Sequence, residues 1–210
     1  MTESDIKINW YYFRSLASQL QQTEQYVDHS LDSNGNMSNG LTFSNEFVKI
    51  MMLASSEFEI ICKAICAESG ISLTWNANIL TITKEILAKY PRIGETKIAT
   101  PYLSFKPLQN WEIIKVNKPN GKIEEKVNGI QWWQDHNNLK HNRRNTFAYA
   151  NLNNCISAMS SLMVVELYLS QIVIDNVDLI TSMGCSYFET DYGLSPILGN
   201  VGIKLPDFEK

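Results

Sequence analysis

The sequence predicts a mainly α-helical protein, a bundle of three to five helices with one inserted β-hairpin and an irregular C-terminal tail. Three observations carry that prediction. Apolar residues recur at the three- and four-residue steps of a helix through several long segments. One pair of short β-type segments flanks a Pro-Asn-Gly turn. Beyond Asp175 the periodicity stops, and Gly184 to Lys210 reads as extended, wrapping chain. With 210 residues and no internal repeat, the chain is read as a single domain over 1–210, with the hairpin at about 110–128 and the tail at about 176–210.

The first helix is expected from about Ile8 to about Val27, where Tyr12 or Phe13, Leu16, Leu20 and Val27 keep helical spacing. His29 then reads as a cation at the helix end, and 32–40 (DSNGNMSNG) as a loop with no means of packing. The second helix is the clearest: Ser44 sits three residues before Phe47 as a cap, and Gly70 stops it. Between them Phe47, Ile50, Met51, Ala54, Phe58, Ile61, Cys62 and Ile65 form a wide apolar face, with Glu57 on its margin. Glu57 reads as a boundary carboxylate with an exposed head, or as a site residue.

A third helix is expected over Trp75 to Tyr90, with Ile79, Ile82 and Ile86 on one side and Pro91 ending it. The stretch 91–109, which holds Pro101 and Pro107, reads as irregular. Trp111 to Val116 and Lys122 to Val127 pair across Lys118-Pro119-Asn120-Gly121, because Pro presets the second turn position and Gly supplies the left-handed one. The hairpin is read as decoration on the helical domain or as a shield for the polar cluster that follows it. The last long helix is expected over Thr146 to Ile174, with a stripe of Leu152, Cys155, Met159, Leu162, Leu169 and Val173. Glu166 falls inside that stripe, where an unpaired carboxylate is costly, so an Arg or hydroxyl partner is expected. Asn151 and Asn154 crowd its first turns; Asn is a mediocre helix former, which points to specific hydrogen bonds.

Composition narrows the classes. A net charge of −4 argues against non-specific coating of nucleic acid, although a local basic patch still binds phosphate. Cys62, Cys66, Cys155 and Cys185 show no metal-ligand or redox spacing, which fits a reducing cytoplasm. The N-terminus lacks a basic start followed by an apolar run, so no signal peptide is read. The longest apolar stretch, Leu162 to Ile174, contains Glu166 and Gln171 and is too short to span a bilayer, so no membrane partner is expected. The ten glycines are scattered and form no phosphate-cradling loop, and no nucleophile elbow or zinc motif is present. No cofactor is expected.

The densest polar segment is Trp132 to Arg144, WWQDHNNLKHNRR, with two tryptophans, two histidines, three asparagines, a lysine and two arginines in thirteen positions. Taken as a short helix over Trp132 to His141, it places Trp132, His136 and Leu139 on one face and Trp133, Asn137 and Lys140 on the next. His141 then lies at its C-terminal end beside Arg143 and Arg144, where positive groups complement the helix dipole. An imidazole among guanidinium and ammonium groups has the components for metal-independent phosphodiester chemistry. His136 and His141 are five apart and only Asp135 is near, which disfavours a metal site.

Asn137-Asn138-Leu139-Lys140-His141 followed by Arg143, ahead of a long helix, resembles the polar motif of HEPN-like domains: an Arg, a polar residue, three or four more residues, and a His. The resemblance covers about six residues and the helical pattern on either side. It implies a helical bundle of the kind found in bacterial toxin and antiphage systems. In active members it also implies metal-independent RNA cleavage at a site completed by a second copy of the chain. On this sequence His136 stands where the motif has Arg, Asn137 at the polar position and His141 at the catalytic His.

Three readings follow. The leading one is a protein that binds RNA, a nucleotide or a protein partner through the 136–144 cluster without efficient turnover, using Lys140, Arg144, His136, Trp133 and Asn151. The second is an endoribonuclease with His141 as general base or acid, Arg143 and Lys140 on the phosphate, and Asn137 orienting. The third is a structural helix junction with the function elsewhere. A homodimer is the other expected partner.

Overall fold

A computed structural model describes residues 1–174, 187–190 and 205–208. It shows the mainly α-helical architecture, with five α-helices and a β-hairpin between the third and fourth. Helix α1 spans Glu3–Gln22, α2 Asn45–Glu68, α3 Ile79–Lys89, α4 Gln131–Thr146 and α5 Leu152–Ile174. Most of the expected tail, including Cys185, lies outside the described residues.

Local chemistry sets the helix limits. Helix α1 begins five residues before the expected Ile8 because Thr2 and Asp5 form a capping box: Asp5 N donates to Thr2 Oγ1 at 3.3 Å and Thr2 N to Asp5 Oδ2 at 2.7 Å. It ends at Gln22, and a single tight turn over Thr23–Gln25 carries the chain on. Helix α2 matches the sequence reading. Phe47 N donates to Ser44 Oγ at 3.1 Å, and past the C-terminus Gly70 turns left-handed at φ +77° while Ile71 N reaches back to Cys66 O at 2.8 Å. Helix α3 is shorter than expected. Asn78, not the region of Trp75, caps it by accepting from Thr81 N, and Trp75 is left 94% exposed outside the helix. The 32–40 loop also departs from expectation, for it has internal order. Asp32 Oδ1 accepts from Asn34 N and Asn36 N, Leu31 pairs with Met37, and Met37 packs on the core.

Helices α2 and α5 form the centre. They start side by side, since Leu152 N donates to Thr42 O at 3.0 Å and Cys155 Sγ to Phe47 O at 3.3 Å. Helix α1 runs antiparallel to both. Its N-terminal amine pairs with Glu68 at the end of α2, and Trp10 Nε1 donates to Ser170 Oγ near the end of α5. Every residue of α5 from Ala158 to Gln171 is buried, far more than the single stripe the spacing suggested. Among the described residues α5 is the one helix long and apolar enough to cross a membrane, yet 78% of its apolar window is buried inside the protein. It is longer than the 162–174 stretch because it starts at Leu152.

The hairpin is as expected. Strands β3 (Glu112–Asn117) and β4 (Ile123–Asn128) pair antiparallel from Glu112↔Asn128 to Asn117↔Ile123, with Gly121 at φ +76° in the turn. Two shorter strands precede it in what read as irregular chain: β1 (Ile98–Ala99) pairs with β2 (Ser104–Phe105) and, on its other edge, with β5 (Glu189–Thr190). Trp111 Nε1 donates to Thr83 Oγ1 at 3.1 Å, and Lys84 pairs with Glu125, so the hairpin lies on α3. At its foot Gly129 adopts φ +80°, and a Cβ there would sit 1.9 Å from Asn110 O. Phe58 of α2 then gathers the rings of Trp111, Trp132 and Trp133 at 5.6, 5.1 and 6.1 Å, which docks α4 on the bundle.

Two buried polar groups differ from expectation. His29 is no surface cation. It is fully buried, with Nε2 3.0 Å from Thr23 Oγ1 and Nδ1 2.5 Å from Tyr187 Oη, and burial lowers its pKa toward the neutral ring despite the opposing charges of Glu24 and Asp28. Glu166 lacks the partner expected for it. It is fully buried, and neither carboxylate oxygen has a hydrogen bond. Burial, with the charge of nearby Glu57 adding to it, pushes its pKa well above 4.5, which favours the neutral acid. Glu57 itself is half-buried on the rim of α2, and its pKa is raised by the same loss of water.

Candidate functional site

Helix α4 is divided by its burial. Trp132, Trp133, His136 and Leu139 turn inward, as the steps of four and three required for Trp132, His136 and Leu139. Asp135 is buried with them; Gln131 Nε2, one turn back in α4, donates to Oδ1 at 3.0 Å, and Asn154 Nδ2 ties α4 to α5 by donating to Oδ2 at 2.9 Å. His136 lies against Trp133 with ring centroids 5.4 Å apart, and neither ring nitrogen has a hydrogen-bond partner. Burial lowers its pKa, the Lys140 charge adds to the effect, and Glu59 opposes it. His136 is therefore a ring inside the fold whose charged form is disfavoured by burial.

The outer end is different. The backbone breaks at Asn142, whose φ of −145° and ψ of 50° are not helical, so the straight run of α4 stops at His141. Thr146 Oγ1 seals the break by donating to Asn138 O at 3.2 Å and Asn142 O at 2.9 Å. Lys140, His141, Arg143 and Arg144 are all exposed around this corner. Arg143 is tethered: one guanidinium nitrogen donates to Asn45 Oδ1 at 3.1 Å, and the group lies 6.0 Å over the Phe147 ring. Phe147 in turn meets the half-exposed Phe43 edge-on at 5.3 Å.

Ion pairs neutralise many of the cations elsewhere on the surface. Lys7, Lys49, Lys63, Lys84, Arg92, Lys118 and Lys126 each lie within 4.0 Å of a Glu oxygen. Among the described residues, Lys140, His141, Arg143 and Arg144 have no such partner, and the chain carries no Asp or Glu between Asp135 and Glu166. An acidic protein thus holds three exposed cations, Lys140, Arg143 and Arg144, without an ion-pair partner at one corner, the local exception its net charge allowed.

The structure brings together only part of the expected set. Lys140, His141, Arg143 and Arg144 share the corner. Asn137 is half-buried one turn back, and its side chain makes no hydrogen bond among the described residues. No hydrogen bond joins His141 to any of these groups. Trp133 and His136 belong to the interior. Asn151 is engaged at the start of α5, where its Oδ1 accepts from Asn154 N at 3.0 Å and its Nδ2 donates to Ala148 O. Asn45 and Phe43 were missed, since nothing in the local pattern at the start of α2 signals a contact 98 positions away. Among the described residues no three His, Cys, Asp or Glu side chains gather as metal ligands.

Compared with known proteins, the chain matches no protein-family model, no curated protein and no solved structure.

Proposed function

We propose that this is a HEPN-like bacterial protein of the cytoplasm that binds RNA or a nucleotide through the 140–144 corner, without efficient turnover. The observation that carries the reading is that Lys140, Arg143 and Arg144 stand exposed around one corner, beside His141, without an ion-pair partner among the described residues. A phosphate is the partner that such a set lacks. The buried His136, its charged form disfavoured, supports binding over catalysis, because the charge that the motif's Arg would place on the scissile phosphate has no counterpart at that position.

The test is fluorescence anisotropy of a labelled RNA with the full chain across a salt series. Contacts from three or four cations predict a log–log salt slope of about −2 to −3 for a single strand. Lys140→Ala or Arg144→Ala should each flatten it by about 0.7. A folded protein that binds neither RNA nor mononucleotides at low salt would sink the proposal.

A second reading, ribonuclease activity, draws on His141 being exposed on this cationic corner: its imidazole would accept the 2′-hydroxyl proton as that oxygen attacks the adjacent phosphorus, the P–O5′ bond breaks, and the departing 5′-oxygen takes a proton from solvent. Fragments ending in 2′,3′-cyclic phosphate, formed in EDTA and lost in His141→Ala, would establish it.

A further inference from the structure

An open groove of about 530 Å³ is formed where the end of α1 meets the start of α2. That volume is within the range of small-molecule sites. Its floor is apolar: Phe47 is buried and Val27 packs on the core. Its walls carry the side-chain amides of Gln19 and Gln22, neither of which has a hydrogen-bond partner among the described residues, and the ring of Tyr26, which is 87% exposed. The hydroxyls that also reach the groove are occupied, Ser44 Oγ by Phe47 N and Thr23 Oγ1 by the Leu20 carbonyl and His29.

The chemistry of these walls selects a ligand. Two free carboxamides offer donors and acceptors together, the pattern that the edge of a nucleobase also presents. An exposed Tyr ring offers a face on which any base can stack. The groove also holds Glu46, paired with Lys49 at 2.7 Å, so a phosphate is disfavoured inside it. Asn45, between Ser44 and Glu46, is the residue that accepts from Arg143, so the groove's rim adjoins the cationic corner.

We infer that the groove is a base subsite: it takes the heterocycle of a nucleotide whose phosphate lies outside, on Arg143 and Arg144. The inference rests on the phosphate-binding reading above and adds what the rest of the ligand is. The same chemistry is offered by a free mononucleotide and by one residue of a single strand. A base locked in a duplex cannot enter.

The experiment measures binding of the four nucleoside monophosphates, a labelled single-stranded RNA oligomer and the matching duplex to the full chain. Wild type is compared with Tyr26→Ala, Gln22→Ala and Arg144→Ala. Tyr26 and Gln22 are surface substitutions, and circular dichroism confirms the fold. Tyr26→Ala is expected to weaken binding about tenfold with an unchanged salt slope, whereas Arg144→Ala weakens it and flattens the slope. Tyr26-dependent binding of monophosphates identifies a free nucleotide as sufficient, and such binding by the oligomer alone identifies a strand. Wild-type affinity in both groove variants, with loss in Arg144→Ala, would overturn the base subsite and leave the phosphate reading standing. Duplex binding as tight as that of the single strand would also overturn it. Failure of every ligand to bind the folded protein would overturn both.

Discussion

Trp10 and Ser170, 160 positions apart, meet inside the bundle: the indole Nε1 donates to the serine hydroxyl at 2.8 Å, and that hydroxyl donates onward to the Glu166 carbonyl at 2.7 Å. One small side chain therefore satisfies a buried donor on α1 while staying bonded within α5. Ser170→Ala should cost about 1–3 kcal/mol, because the indole N–H is left buried without an acceptor. Trp10→Phe combined with Ser170→Ala should lose less than the sum of the two single changes, read from urea midpoints in a double-mutant cycle. Additive losses would show that the bond is not the coupling between these helices.

Glu166 gives the protein a dependence on alkalinity. Its pKa in the fold lies above its ordinary 4.5, so the folded state keeps a proton that the unfolded chain releases. The contribution is fully favourable below about pH 4.5 and is lost as pH rises from there through the raised value. Half-buried Glu57 acts in the same sense. Glu166→Gln, neutral at every pH, should unfold at a urea concentration that falls less from mildly acidic to mildly alkaline buffer than the wild type does. Parallel pH profiles would mean that the carboxyl is already ionised in the fold.

His29 acts in the opposite direction. Its folded pKa is depressed below the ordinary 6.5, so the stability it carries is present above that value and is lost as pH falls through it. His29→Gln should be less stable than wild type at neutral pH, by about 1–3 kcal/mol for the broken Thr23 and Tyr187 contacts. It should also lose stability less steeply on acidification. The slope should not vanish, because His136 is depressed by its own burial and remains. Urea titrations at three or four acidic pH values measure both effects.

Cys62, Cys66 and Cys155 are buried free thiols, and burial raises the pKa of each, that of Cys66 to about 11. The reactive species is the thiolate, so these three should resist iodoacetamide in the native protein and alkylate readily in urea. Peptide mapping by mass spectrometry reads each site separately. Modification of Cys155 under native conditions would show that α5 opens far below the global unfolding transition.

Where signals are local, sequence and structure agree. Helix α2 carries both its cap at Ser44 and its stop at Gly70 within its own sequence, and the hairpin carries its turn at Pro119 to Gly121. The start of α1 escaped because its capping box precedes the apolar stripe, and Trp75 misled because an aromatic beside Asn78 extends the apparent periodicity of α3. The inward face of α4 was legible from spacing, and so was the end of its straight run at His141, whereas the further turn to Thr146 past the break at Asn142 was not. His29 could not be placed at all from its neighbours, since the Tyr187 that completes its surroundings lies 158 positions away. The Asn45 anchor of Arg143 was hidden for the same reason.

The two ends of the hairpin impose opposite rules on change. At the tip, a side chain added at Gly121 would meet nothing within 4 Å, while at the foot one added at Gly129 would collide with the Asn110 backbone. The turn at 118–122 is therefore the place to splice in a tag or a dye-bearing peptide, since extra chain there projects into solvent. A residue inserted beside Gly129 would instead rotate the whole of α4 by roughly a quarter turn, carrying Trp133 and Leu139 outward and Gln134 and Asn138 toward the core.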